Sequence, residues 1–269
     1  MFKNTNPANV LKRRTEGGSS VSHPDTFKDS AELYDAIYRF KDYARECDRL
    51  RDLINEAVPG AHSILDVACG TGEHAKFLKR HYAIDGIDIN DHYLRAARLK
   101  NPAGSYTRAD MTDFDRGRTY DVVTCLFSAI AIVGTYERLE RAILCMACHV
   151  RPGGALIIEP WFAPDQWRPG GSFVLAGEVG TNNVYRLSNS IREGARSVLL
   201  HHYLLGAADH IEHYRDRIEL GLFTRDEMTW AFEFAGMQVR YDTEGLMGRG
   251  LYIGQRAGDI LPGGRHAHS

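Results

Sequence analysis

The stretch Ile64-Leu65-Asp66-Val67-Ala68-Cys69-Gly70-Thr71-Gly72 decides the fold of this chain. Its apolar first half predicts a buried strand, and its two glycines predict a sharp turn into a helix that starts near Thr71. Glycine allows a ligand to approach the backbone closely, and the first turn of a helix presents free N–H groups to that ligand. The sequence therefore predicts a ligand site at this turn.

The charges near the turn indicate which ligand binds. A dinucleotide fingerprint allows an alanine at the position of Ala75, so spacing alone leaves a dinucleotide open. Asp66 enters the loop and Glu73 lies in the first helical turn, where both would repel a phosphate. Asp88 ends a second strand-like run, and its carboxylate can accept hydrogen bonds from two ribose hydroxyls. A ribose without phosphate, joined to a cationic amino acid group, describes S-adenosylmethionine.

Strands and helices alternate along the middle of the chain, after an amphipathic segment at 30–58. The strand candidates are 62–68, 83–88, 104–108, 120–127 and 154–160, and the helical candidates are 71–81, 91–99 and 136–150. Continuously apolar strands are typical of a parallel sheet covered on both faces. With a hairpin-like pair of strands near the end, the pattern predicts an α/β fold with a doubly wound, seven-stranded, Rossmann-like sheet. Its ligand site would lie at the carboxyl ends of strands one, two and four.

After Trp161 the pattern changes to short alternating runs, which predict a small antiparallel β lobe inserted after strand five. A capping box at Thr224-Arg-Asp-Glu227 then opens a helix. The predicted divisions are a flexible tail at 1–28, N-terminal helices with the S-adenosylmethionine-binding core at 29–161, the antiparallel substrate lobe at 162–222, a C-terminal helix with the final core strands at 223–258, and a tail at 259–269.

Composition limits the classes of partner. The 269 residues include 33 Lys and Arg against 35 Asp and Glu, a net charge of −2 without a long basic run, so we expect no nucleic-acid partner. No apolar run approaches the roughly 20 residues of a membrane span. The five cysteines predict buried free thiols of a reduced, cytoplasmic protein. Cys145 and Cys148 have C-x-x-C spacing but no second pair, so we predict no metal site.

Asp66–Gly72, Asp88, Ala109-Asp110-Met111 and Tyr120–Cys125 together resemble the motifs of the class I S-adenosylmethionine-dependent methyltransferases. The resemblance implies that the glycine loop lies under the methionine part of the cofactor. It also implies that Asp88 holds the ribose and that Asp110 contacts the adenine. The predicted cofactor-binding residues are Tyr34, Tyr43, Asp66, Ala68, Gly70, Gly72, Asp88, Ile89, Asp110, Met111 and Phe127.

Four further segments concern the methyl acceptor: Ala31–Asp35 with Lys41–Tyr43, Glu159–Phe162, Ile211–Tyr214 and Gly248–Tyr252. With these, the chain from about Ala31 to Arg256 resembles the bacterial N,N-dimethyltransferases that finish nucleotide-linked aminosugars for macrolide antibiotics. Glycine N-methyltransferase-like enzymes share the Leu-Tyr-Asp start and are more distant. The resemblance implies a small-molecule acceptor and is compatible with a homodimer. The predicted substrate-binding residues are Ser128, Ile132, Trp161 and Arg249.

One position departs from that group, whose members carry a histidine shortly after the Phe-Ser of strand four. Here Ile132 stands in its place, so the substrate can differ. A neutral amine can attack the activated methyl group in line without a base. A hydroxyl has a far higher pKa, so a general base is more necessary for a hydroxyl acceptor. The bases expected near the mouth are His202, Glu212 and His213. The predicted catalytic residues are Tyr34, His202 and His213.

Several candidates also have a purely structural interpretation. Tyr34 can be a packing residue, Trp161 can cover the sheet edge, and the pair His201-His202 on a strand gives one inward and one outward side chain. Arg249, between two glycines, suits an anion such as a diphosphate or carboxylate, or it is a surface arginine in a turn. The leading functional hypothesis is N-methylation of a small-molecule amine. The alternatives are an O-methyltransferase on a natural-product hydroxyl and an inactive S-adenosylmethionine-binding regulatory protein.

Overall fold

A computed structural model describes residues 30–206 and 209–258, and the predicted tails at 1–28 and 259–269 lie outside the described residues. The helices of the described part are α1 (Ala31–Ile37), α2 (Tyr43–Ala57), α3 (Glu73–Leu78), α4 (Asp91–Lys100), α5 (Tyr136–Cys148) and α6 (Arg225–Phe234), with a short 3-10 helix at Ala129–Val133. The strands are β1 (Ser63–Val67), β2 (Ala83–Asp88), β3 (Tyr106–Arg108), β4 (Tyr120–Cys125), β5 (Val150–Ile158), β6 (Ser172–Val179), β7 (Asn182–Glu193), β8 (Arg196–Gly206), β9 (Ile211–Gly221), β10 (Met237–Asp242) and β11 (Leu251–Arg256).

Seven strands form one sheet in the order β10-β11-β5-β4-β1-β2-β3. The central strand β1 pairs in parallel with both β2 and β4, while β11 pairs antiparallel with β5 and β10. This confirms the predicted doubly wound, seven-stranded sheet. Ligands bind such sheets at the carboxyl ends of the strands, next to the point where the strand order reverses. The ends of β1, β2 and β4 therefore position the site.

Helices cover both faces of this sheet, as the continuously apolar strands require. Ile143 of α5 and Phe232 of α6 pack on one face, and Leu50 of α2 and Leu78 of α3 pack on the other. Burial of this apolar surface is the dominant favourable contribution to folding. In the part of the chain that the structure describes, no helix is long and apolar enough to cross a membrane.

The remaining strands form a separate antiparallel sheet in the order β6-β7-β8-β9, here called the lobe. Side chains alternate between its two faces. At one end of the inner face, Leu33 and Ile37 of α1 pack against Val184. At the other end, Trp167 packs against Leu199. The lobe is thus anchored at both ends of its inner face, while its outer face is open to solvent. The division of the whole chain into domains stays a prediction.

Helix α1 connects the lobe to the glycine turn. Asp35 accepts a hydrogen bond from Thr71 Oγ1 at 2.5 Å and pairs with Lys100 at 2.6 Å. Lys100 also pairs with Glu73 at 2.7 Å. A chain of charged contacts therefore ties α1 across the carboxyl ends of the strands.

Three local predictions differ from the structure. The amphipathic segment 30–58 forms two helices, because Asp42 caps a new helix by accepting a hydrogen bond from the Arg45 N–H at 3.0 Å. The strand predicted at 154–160 begins earlier, because β5 starts at Val150 and residues 151–154 lie at an irregularity in its pairing with β4. All five cysteines are free, but Cys145 is only half-buried and Cys148 is exposed, since both lie on the outer side of α5.

Candidate active site

The glycine turn has the backbone geometry that its sequence predicts. Gly70 and Gly72 have φ angles of 55° and 77°, in the left-handed region that favours glycine. A Cβ on Gly72 would lie 2.9 Å from Ala97, so glycine is also needed there to let α3 begin against α4. Ala68 adopts φ 56° although it carries a side chain. Such strain in a non-glycine residue is typical of a functional site.

Asp88 lies at the end of β2 and fixes the turn through its side chain. Its carboxylate accepts hydrogen bonds from the N–H groups of Gly70 at 2.9 Å and Asn90 at 2.8 Å. Burial raises the pKa of Asp88, and these backbone donors partly oppose the rise. Its position and remaining acceptor capacity fit the predicted role of holding the ribose.

A cavity beyond Asp88 fits the adenine end of the cofactor. Its walls are formed by Ala68, Asp88, Ile89, Ala109, Asp110, Met111, Ile132, Val133 and Arg138. The Asp110 carboxylate already accepts hydrogen bonds from the N–H and Oγ1 of Thr112, both at 2.8 Å, and these bonds lower its pKa. Ile132 was expected on the acceptor side but lies here, because Ala131 is the residue of the 3-10 helix that turns toward the lobe.

A second cavity, lined in part by Tyr34, Tyr43, Asp66, Gly70 and Phe127, fits the methionine end. It meets the adenine cavity at Ala68, which lines both. Thr124 Oγ1 donates a hydrogen bond to Asp66 at 2.8 Å, but burial dominates and raises the pKa of Asp66 to about 6. Glu73 is neutralised by Lys100, so Asp66 and Asp88 carry the negative charge that faces the ligand.

The pKa of Asp66 predicts how cofactor binding depends on pH. We expect the Kd of S-adenosylmethionine to fall roughly tenfold between about pH 5 and about pH 7. Over that range the carboxyl loses its proton and becomes able to attract the cationic amino group. Calorimetric titration at a series of pH values measures the effect. Asp66→Asn should bind weakly with no such slope, and a flat Kd for the unmodified protein would contradict this role.

Phe127 separates the methionine cavity from a larger one beyond it. Its φ is 52° and that of Ser128 is 61°. The Phe127 N–H donates to Glu159 Oε2 at 2.7 Å, and the Lys41 Nζ lies 3.9 Å from the centre of the Phe127 ring. Glu159 is fully buried and its Oε1 pairs with Arg249 at 3.1 Å. These contacts stabilise the left-handed backbone conformation of Phe127 and Ser128 at the boundary between the two cavities.

The larger cavity, here called the acceptor cavity, has a volume of about 350 Å³. Tyr34 and Phe127 line it as well as the methionine cavity, so the two are contiguous. Most of its wall is aromatic or aliphatic. Its lining includes two guanidinium groups, Arg186 and Arg249, and no carboxylate. The structure brings five predicted residues together here: Tyr34, Phe127, Ser128, Trp161 and Arg249.

The structure does not bring His202 and His213 into this cavity. They lie on the outer face of the lobe, where His202 Nδ1 and His213 Nε2 are 3.0 Å apart. Strand alternation instead turns His201 inward to line the acceptor cavity. Burial, helped by the nearby Arg186 charge, lowers the pKa of His201 to about 4. Glu212 accepts a hydrogen bond from the Tyr214 hydroxyl and is not among the cavity residues.

Known proteins are similar to this chain over most of its length. Residues 64–154 match the family described as a methyltransferase domain. The chain is 38% identical, over 87% of its length and 91% of the relative's, to dTDP-3-amino-3,6-dideoxy-alpha-D-glucopyranose N,N-dimethyltransferase of Streptomyces fradiae. It is 36% identical, over 84% of its length and 97% of the relative's, to dTDP-3-amino-3,4,6-trideoxy-alpha-D-glucopyranose N,N-dimethyltransferase of Streptomyces venezuelae.

Two solved structures share the fold at similar identity. The sugar N-methyltransferase KedS8 of a Streptoalloteichus species has a TM-score of 0.82 and 34% identity, over 91% of this chain and 100% of its own. The amino pentose methyltransferase CalS10 of Micromonospora echinaspora, solved with S-adenosylmethionine bound, has a TM-score of 0.77 and 34% identity, over 84% and 97%.

Proposed function

The chain belongs to the family of S-adenosylmethionine-dependent aminosugar N,N-dimethyltransferases, and we propose that its own acceptor is the amine of a dTDP-linked aminosugar. It is a methyltransferase with S-adenosylmethionine as its cofactor. The observation that carries the proposal is the lining of the acceptor cavity, which includes no carboxylate and keeps the positive charge of Arg186 after Glu159 balances Arg249. An acceptor that carries a diphosphate matches this charge.

The chemistry requires mainly that two reactants be held in line. The bound cofactor supplies a methyl group that is already activated on a sulfonium sulfur. Tyr34 and Phe127 lie where the methionine and acceptor cavities meet, so they would orient the amine toward that methyl group. Burial raises the pKa of Tyr34, so its hydroxyl stays protonated and acts through hydrogen bonding. The amine reacts in its neutral form, and the ammonium product loses its proton to water.

The titratable groups of the cavity favour an amine over a hydroxyl acceptor. A hydroxyl would need a general base with a pKa near neutrality. The Tyr34 pKa is raised and the His201 pKa is lowered to about 4, so neither is such a base. The ordered contacts around Asp88, Glu159 and Arg249 also describe an intact site rather than that of an inactive regulatory protein.

The acceptor class is tested by incubating the protein with S-adenosylmethionine and dTDP-linked 3-amino and 4-amino sugars, with matched 3-hydroxy and 4-hydroxy sugars as controls. Mass spectrometry should show a gain of one or two methyl units on the aminosugars alone. Products methylated only on the hydroxy sugars would overturn the amine assignment. Methylation of neither set would overturn the sugar-nucleotide assignment.

We also propose a homodimer that works in the reducing cytoplasm, without a nucleic-acid partner. The outer face of the lobe supports the dimer, because Val174, Leu187 and Ile211 there are exposed and apolar. A two-fold axis would pair this face with its copy. The free cysteine thiols support the reducing cytoplasm as the compartment. The net charge of −2 supports a small-molecule acceptor rather than a nucleic acid. The mass of the protein in solution, from light scattering, tests the assembly.

A further inference from the structure

Polar side chains occupy the middle of the inner face of the lobe, where apolar residues would be expected. Arg186 and Ser188 of β7 and His201 of β8 are 5%, 0% and 1% exposed. Ser188 lies directly opposite His201 in the antiparallel ladder, and Arg186 lies opposite Tyr203 one pair along. Burying polar groups is costly unless each finds a partner.

These groups have few partners within the described residues. The Nε of Arg186, the hydroxyl of Ser188 and the Nδ1 of His201 are buried without a hydrogen-bond partner there. Arg186 donates through Nη1 to the Tyr38 hydroxyl at 2.9 Å, and its guanidinium lies 5.0 Å from the centre of the Tyr38 ring. No carboxylate among the described residues forms an ion pair with Arg186.

The second guanidinium of the cavity, that of Arg249, differs from Arg186 because it has a carboxylate partner. Arg249 pairs with the fully buried Glu159, so its charge is balanced within the protein. Arg186 contributes a buried positive charge with phenol hydroxyls as its partners. An unbalanced buried charge is strongly unfavourable, and an anionic ligand would remove that penalty.

We propose that Arg186 binds the diphosphate of the acceptor, with His201 adding a hydrogen bond beside it; this inference rests on the proposed function. The Tyr38 ring indicates how far apart the two places are. Its centre lies 5.0 Å from the Arg186 guanidinium and 5.0 Å from the centre of the Phe127 ring. One ring therefore separates the diphosphate site from the place of methyl transfer. A sugar that carries its amine on one side and its diphosphate on the other spans a similar distance. Arg249 then shapes the cavity rather than neutralising the diphosphate.

The test uses the full chain saturated with S-adenosylhomocysteine and calorimetric titration with dTDP, thymidine and inorganic pyrophosphate. Arg186→Met removes the charge at similar volume, and Arg186→Lys keeps the charge without the planar fork. The matched comparison is the double variant Glu159→Gln with Arg249→Met, which removes the second guanidinium together with its buried partner charge. We expect Arg186→Met to weaken dTDP binding by about 10- to 100-fold and leave thymidine binding unchanged. Arg186→Lys should lose less, and the Glu159→Gln, Arg249→Met double variant should retain pyrophosphate binding.

A purely structural role for Arg186 would give a different result. The melting temperature of Arg186→Met should equal or exceed that of the unmodified protein, because an unbalanced buried charge is removed and no ion pair is broken. Its S-adenosylhomocysteine affinity should be unchanged. If both fall while the ratio of dTDP to thymidine affinity stays constant, the inference is overturned. If the unmodified protein binds dTDP and Arg186→Met and Arg186→Lys bind it equally well, the inference also fails while the proposed function stands. If the unmodified protein binds pyrophosphate through Arg186 but methylates no dTDP-linked aminosugar, the proposed function fails instead.

Discussion

Replacing Asp88 with alanine should weaken S-adenosylmethionine binding by roughly two to four orders of magnitude. The predicted role of the carboxylate is to accept hydrogen bonds from two ribose hydroxyls, and each hydrogen bond to a charged group contributes about 1.5–3 kcal/mol. The same carboxylate also accepts from the Gly70 N–H, so its loss loosens the turn beneath the cofactor. Isothermal titration calorimetry with S-adenosylmethionine and S-adenosylhomocysteine measures the change.

Two control variants separate these contributions. Asp88→Asn keeps the shape and one acceptor oxygen, so it should bind more tightly than Asp88→Ala but more weakly than the unmodified protein. Asp91→Ala removes an exposed carboxylate three residues later and should leave the Kd unchanged. An Asp88→Ala protein that melts normally and binds with unchanged affinity would refute the ribose assignment.

Replacing Glu159 with alanine should lower the free energy of unfolding by up to about 3–5 kcal/mol, because it leaves the Arg249 side chain, which is 13% exposed, as a charge without a carboxylate partner. It also removes the acceptor of the Phe127 N–H, which stabilises the left-handed backbone at Phe127 and Ser128. Urea denaturation measures the loss. Methyl transfer should fall as well, since Phe127 lines both reacting cavities.

The partner of Glu159 supplies a matched control. The double variant Glu159→Leu with Arg249→Met removes both charges and should recover most of the lost stability. Glu159→Gln keeps an acceptor for the Phe127 N–H and should be destabilised less than Glu159→Ala. If the single and double variants unfold at the same urea concentration, the buried pair is not the source of the effect.

The sequence predicts the cofactor side of the site well because its signals are local. The glycines, Asp66 and Asp88 each sit where a strand ends, and position along the chain then determines position in space. Ala131 and Ile132 show where this fails, since the turn of a short 3-10 helix decides which of them faces the lobe.

The acceptor side depends on contacts between distant segments, which explains the residues that were missed. Alternation along β8 predicts that one of His201 and His202 points inward, but only the packing of the lobe on α1 shows which one. Arg186 has no local signal at all. What distinguishes it from the other described arginines is that it is buried, at 5% exposure, without a carboxylate partner, and no short sequence pattern records this property.

The proposed function involves successive methyl transfers to one amine, and the contacts of Asp35 with Thr71 and Lys100 bear on that succession. A second transfer requires spent cofactor to leave and fresh cofactor to enter the methionine cavity, whose lining includes Tyr34 of α1. The same helix carries Leu33 and Ile37, which anchor the lobe, and it leads directly into Tyr38 of the acceptor cavity. Releasing α1 for cofactor exchange therefore loosens the hold on the monomethylated sugar. Cofactor exchange and retention of the monomethylated sugar therefore both depend on α1. We expect a distributive course, in which the sugar dissociates between the two methyl transfers.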